Sequence, residues 1–186
     1  MQSNSNTLAR VANDIGLAAW FGGSLMGAVG LNGAASSASK PRERTKVANA
    51  GWKAWTPVNL AAIGAFAVGG LQLTRANKGR IGAQQGVAST ALLKAGLTGL
   101  AMAVTAYSRK LGQTVMDADA PPADGATEPS AETPSKVASA QRQLKALQWA
   151  IPALTGAAIV VDSRLSEQQR PVEVAKGVLG RLNPAA

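Results

Sequence analysis

Ile15 to Ser39 reads IGLAAWFGGSLMGAVGLNGAASSAS, 25 residues without a charged side chain. About 20 helical residues, rising roughly 1.5 Å each, cross the hydrocarbon of a bilayer, so this stretch is long enough to span one. Working outward, Ala54 to Thr74 is uncharged for 21 residues. Ile81 to Ser108 is broken only by Lys94, and Ala146 to Val161 gives 16 uncharged residues before Asp162. The 19 Lys and Arg and the 10 Asp and Glu crowd into the intervals. This segregation says more than the mean hydropathy of +0.04, which averages it away.

The alternative is a soluble, Ala-rich helical bundle. Ala and Gly fill 58 of the 186 positions and aromatics only seven, so a large Leu-rich or aromatic core is not on offer. Across 15–36 the strong apolar residues are Ile15, Leu17, Phe21, Leu25, Val29 and Leu31. At about −0.3 to −0.6 kcal/mol each they supply only about 2–4 kcal/mol of insertion energy. What decides is the lack of a charged face on these helices, with aromatics at the run boundaries: Trp52, Trp55, Tyr107 and Trp149 read as interface anchors. The fold class expected is all-α, an integral membrane protein with a bundle of four transmembrane helices, near 15–36, 57–75, 87–107 and 146–163. The location expected is the cell membrane, with multiple passes.

Local signals set the divisions. Residues 1–14 form a polar N-terminal segment and 15–116 a three-helix membrane region. Thr56 before Pro57 reads as an N-cap followed by proline at the first helical position, which starts the second helix there. Asn77, Lys78 and Gly79 close it. Gly82, Gln84, Gln85 and Gly86 make a short connection, so the second and third helices form a tight antiparallel hairpin. Residues 117–135, DADAPPADGATEPSAETPS, hold four prolines, five acids and no base, the composition of a disordered acidic linker. Residues 136–163 read as a surface helix running into the fourth span, kinked at Pro152. Residues 164–186 form an amphipathic or flexible tail: Val172, Ala175, Val178, Leu179 and Leu182 share a face while Lys176 and Arg181 lie off it. The first run is long for a signal peptide and is expected to be retained, with Ser36-Ser37-Ala38 as the cleavage site if it is not.

Small residues recur at four-residue spacing: Ala19, Gly23 and Gly27 in the first helix, with Ala12 and Gly16 on a neighbouring stripe, and Ala61, Ala65 and Gly69 in the second. Such stripes allow close helix packing, within the bundle or in a self-association seam. Lys94 shares a helical face with Thr90, Thr98 and Thr105, and that face points into the bundle because a lipid-facing Lys costs about 3 kcal/mol or more. Its polar surroundings suit a solute or anion path; the plainer reading is snorkelling or bonding to carbonyls. Asp162, next to Arg164, reads as locally paired or hydrated, and Asp14 as an acid favoured by a helix N-terminus.

Without Cys or His, the chain has no disulfide, no Cys/His metal site and no His-based triad. No Walker loop or GxSxG elbow occurs. No enzyme, metal or cofactor is expected. Lys and Arg in the intervals number ten on one side and eight on the other, leaving the orientation open. The net charge of +9 concentrates at Lys40, Arg42, Arg44 and Lys46, a cluster suited to anionic headgroups; without interleaved aromatics it is a poor nucleic-acid surface. The function expected is an accessory or structural subunit of a membrane complex or homo-oligomer, with a membrane-protein partner or self-association. The alternatives are a small channel or transporter with Lys94 in its path, and a soluble basic nucleic-acid-binding protein.

Overall fold

The computed structural model describes residues 2–182. Helix α1 (Gln2–Met26) passes through a π-helical turn (Gly27–Leu31) into α2 (Asn32–Ser36), forming one rod. Then come α3 (Pro41–Ala76), α4 (Lys78–Ala83), α5 (Val87–Met116), α6 (Ser135–Glu167) and α7 (Pro171–Leu182). Four of these rods are long and apolar enough to cross a membrane. The N-terminal segment expected to be separate is helical from Gln2 and continues α1. Asp14 therefore lies in mid-helix, and the helix dipole does not account for it.

Helix α3 starts sixteen residues before the position that Thr56-Pro57 suggests. Extended Lys40 (φ −96°, ψ 134°) precedes Pro41 at the first helical position, and this earlier proline, not Pro57, opens the helix. Pro57 sits inside, beside Thr56, whose hydroxyl donates to the Trp52 carbonyl at 2.7 Å. At about 1.5 Å per residue α3 is roughly 54 Å long, well beyond a hydrocarbon core of about 30 Å. Gly86, at φ +79°, takes the left-handed conformation that turns the chain into α5. Gln84 fastens that turn, its amide donating to the Gln168 carbonyl at 3.0 Å and to the Glu173 carbonyl at 3.3 Å.

The helices pair as two antiparallel hairpins of a different kind from the one expected. α1 packs along α3, α5 packs along α6, and α1 against α6 joins the pairs; α3 and α5, consecutive and closely connected, scarcely touch. The α1–α3 seam is nearly backbone to backbone. A Cβ on Gly16 would lie 2.6 Å from Phe66 N, and one on Gly69 would lie 2.6 Å from Asn13 N. Further along, Trp55 and Trp52 lay their rings on Gly23 and Gly27. Leu17, Trp20, Phe66, Ala101, Ile151 and Ala158 form the central core, with Trp20 and Phe66 ring centroids 6.1 Å apart.

Most large aliphatic side chains face the other way. Leu60, Leu92 and Val160 are 65–74% exposed, and only 17–33% of each apolar helix window is buried against protein. The core is instead rich in Ala, Gly, Thr and Asn.

Residues 117–134 are folded, which corrects the disordered-linker expectation. Asp119 and Ala120 turn through positive φ, Ala123 pairs with Pro129, and Ala120, Ala123, Ala126 and Thr127 are buried. Thr45 donates to Pro121 O, Arg44 to Asp124 O and Gln141 to Ala126 O, while Lys145 pairs with Glu128 at 3.4 Å. One acid, Glu128, is matched by a base, and the segment is held chiefly by hydrogen bonds to its carbonyls and by the burial of the alanines between the acids. Val172 and Leu179 on α7 are exposed. The side chains of Arg181 and Leu182, which belong to that amphipathic reading, lie outside the described residues, as do residues 183–186.

Candidate functional site

The four long rods each contribute one residue to a polar knot near one end of the bundle. Lys94 on α5 donates to Asp162 on α6 at 2.7 Å and to Asn13 Oδ1 on α1 at 3.2 Å. Asn13 Nδ2 donates to the other Asp162 oxygen at 2.7 Å, and the Lys94 ammonium lies 5.4 Å from the centroid of the Phe66 ring on α3. Asn13 is fully buried, and the Lys94 and Asp162 side chains are 15% and 20% exposed. The knot is satisfied: the carboxylate neutralises the ammonium, and the amide bridges both. Asp162 thus pairs with Lys94 and not locally. Arg164, two residues on, sits about 200° around the helix and cannot share its face.

Because α3 and α5 stand apart, two cavities lie in series between the hairpins. The smaller, about 330 Å³, reaches the knot and is lined by Lys94, Thr98, Asp162 and Arg10. Arg10 closes one edge by donating to Gln169 Oε1 at 2.7 Å. The larger, about 500 Å³, opens toward the other end, and Met102 lines both. A volume of this size falls within the range of small-molecule sites, about 300–1,000 Å³.

The larger cavity is built by specific local structure. In the π turn the Asn32 N–H reaches back five residues to Gly27 O. Asn32 is buried at the cavity wall, donating to Gln148 Oε1 at 2.6 Å and accepting from Trp52 Nε1 at 3.0 Å. Asn59, Thr105 and Ser108 also line the cavity, with Asn59 Oδ1, Thr105 Oγ1 and Ser108 Oγ shielded from it and without a hydrogen-bond partner. That is unusual here, since Ser24, Thr56, Thr74, Thr90 and Thr155 all donate to a carbonyl one turn earlier. A polar atom left without water or a partner costs about 1–3 kcal/mol. Trp20 Nε1 and Gln141 Oε1 also lack partners, but in packed surroundings away from the cavity lining.

The residues singled out from sequence are distributed as follows. Thr90, Lys94, Thr98 and Thr105 do not line one path: Thr90 closes on the Gly86 carbonyl, Lys94 and Thr98 line the smaller cavity, and Thr105 lines the larger. Gly23, Gly27 and Gly69 lie in the α1–α3 seam, with Ala19 half-buried. On α3 the register is one residue off, since Ala62 and Phe66 are buried while Ala61 is exposed and Ala65 half-buried. Trp52 and Trp55 pack on α1 glycines and line the cavity, so they are not outward anchors; both glycines lie one turn apart and leave room for a ring. Tyr107 and Trp149 are about half exposed, and the Tyr107 hydroxyl bonds Gln143 Oε1 at 2.5 Å. In the basic cluster, Lys40 pairs with Glu43 at 3.5 Å and Arg44 holds carbonyls of Ala38 and Asp124; Arg42 and Lys46 are exposed.

Asn13, Asn32, Asn59, Ser108 and Gln148 went unselected. The available signal was polar side chains inside otherwise apolar runs. No family model matches this chain, and no curated protein or solved structure matches it.

Proposed function

We propose that this chain is a multi-pass integral membrane protein of the cell membrane that acts by binding, as an accessory or structural subunit of a membrane complex or homo-oligomer. The observation that carries this reading is the direction of its side chains: large aliphatics face outward, and small and polar residues face in. In water such an exterior is a set of continuous apolar patches; in lipid it is the ordinary solvent-facing surface. The satisfied Lys94–Asp162–Asn13 knot favours a fastening role for these residues. Membranes washed with alkali should retain the tagged chain, and mild-detergent purification should bring down a partner, or a second copy, at near one-to-one amounts. Release by alkali overturns the spanning reading; retention with a purely monomeric product overturns the subunit reading.

A second reading, a solute path, is favoured by the two cavities meeting at Met102. It predicts that Lys94→Met abolishes flux into liposomes, and unchanged flux removes it.

A further inference from the structure

We infer that the smaller cavity is a binding site for one short-chain organic monocarboxylate, an inference that rests on the solute reading above and names its solute class. The charges that line this cavity do not cancel. Its charged lining residues are Arg10, Lys94 and Asp162, two cations against one acid. Asp162 is spent within the knot, one oxygen on Lys94 Nζ at 2.7 Å and the other on Asn13 Nδ2 at 2.7 Å. Arg10 is the surplus. Its guanidinium donates only to neutral acceptors, Ser166 Oγ at 3.3 Å and Gln169 Oε1 at 2.7 Å, and no carboxylate pairs with it among the described residues. Asp14, one turn along α1, is exposed and does not line the cavity.

Donors remain for an acceptor that the chain itself does not supply. Of the five N–H groups of a guanidinium two are engaged on Arg10, and of the three on the Lys94 ammonium Asp162 and Asn13 take two. Thr98, one turn after Lys94, lines the same cavity; its hydroxyl makes no hydrogen bond among the described residues and, unlike that of Thr105, is not sealed. One surplus positive charge calls for one negative charge. A carboxylate supplies it in the planar form that a guanidinium fork receives, whereas a doubly charged phosphate or sulfate would leave a negative charge over beside Asp162. The rest of the wall is apolar, with Phe66, Leu71, Leu73, Val87 and Met102, so a bare halide would leave that surface unfilled and a short hydrocarbon chain covers it. At about 330 Å³ the space stands at the small end of the range for ligand sites, which suits a short chain.

The test titrates the full-length protein, in non-ionic detergent micelles, with trifluorobutyrate and follows the fluorine resonance of the probe. The expected result is saturable binding, with the dissociation constant raised about tenfold by Arg10→Gln, the loss of one charge-assisted contact, and about threefold by Thr98→Val. Arg10→Lys, which keeps the charge without the fork, should fall between the unaltered chain and Arg10→Gln. Arg109→Gln removes a cation from the lining of the larger cavity and should leave binding unchanged. Trifluorobutanol, the same chain without the charge, should not saturate, and chloride at equal concentration should not displace the acid. Binding that rises linearly with the probe overturns the proposal, as does saturation that neither Arg10→Gln nor Thr98→Val alters, equal weakening by Arg10→Gln and Arg109→Gln, equal binding of the alcohol, or displacement by equal chloride. Thr98 has no bond within the protein to lose, so its variant reads the site even where Arg10→Gln loosens the contact to Ser166 and Gln169. Failure of the solute path appears separately, as liposome flux that Lys94→Met leaves unchanged in a chain that binds the probe.

Discussion

Helix α3 has two faces toward the bundle, and they could hardly differ more. Toward α1 it is closed, with Gly16 and Gly69 bringing backbone against backbone. Toward α5 it is open, with Asn59 across a cavity of about 500 Å³ from Thr105 and Ser108. Both partners are rich in Ala and Gly, so small residues alone do not close an interface. They close it where a glycine on one helix meets the backbone of the other at matched height, and the side chains between such points are small or fill the gap, as Trp52 and Trp55 do. Where hydrogen-bonding side chains face each other without meeting, the helices stay apart.

The largest effect should come from the knot that ties the two hairpins. Asp162→Ala leaves Lys94 with an amide and a ring but no counter-charge, a loss of about 3–5 kcal/mol, measurable by denaturant unfolding in detergent. The double change Lys94→Met with Asp162→Leu should recover most of it; equal loss in the double variant would mean the charges are not the reason. Next comes the closed face. Gly16→Leu should destabilise by about 1–3 kcal/mol or more, because the clash is with backbone and not with a flexible side chain. Gly22→Leu, with open space around it, should be tolerated, and the comparison fails if the two behave alike. Trp52→Phe keeps a ring on Gly27 but removes the bond to Asn32, about 1 kcal/mol in the same assay. The smallest effect belongs to the open face and has the opposite sign: Thr105→Val removes a shielded hydroxyl without a partner and should raise stability by up to about 1 kcal/mol.

Legibility in the sequence followed the range of the interaction. The long helices showed in uncharged runs, because charge is costly wherever apolar surroundings surround a helix. Their ends did not, because Thr56-Pro57 and Lys40-Pro41 both offer proline to a first helical turn, and nothing local tells which is used. Gly23 and Gly27 were visible as seam residues, whereas Ala61 and Ala65 missed the α3 register by one, in a chain where Ala is everywhere. Lys94 stood out as a lone charge, and Asp162, 68 residues away, was its obvious counter-charge; the neighbouring Arg164 argued for local pairing instead, since sequence spacing carries no information across a bundle. Residues 117–134 misled most. Prolines and acids resemble a solvated linker until Thr45, Arg44 and Gln141 are placed against its carbonyls and Lys145 against Glu128. The larger cavity was invisible for the same reason: it is defined by two helices that fail to meet.

The absence of cysteine from the chain makes single-site labelling clean. Nitroxide labels at Leu60, Leu92 and Val160, all strongly exposed, in chain reconstituted into liposomes test the inside-out arrangement most directly. Collisions with oxygen, which concentrates in hydrocarbon, should far exceed those with a water-soluble nickel chelate at all three positions. Ready access for the chelate and little for oxygen would mean that these faces meet water, and would contradict a membrane-spanning bundle.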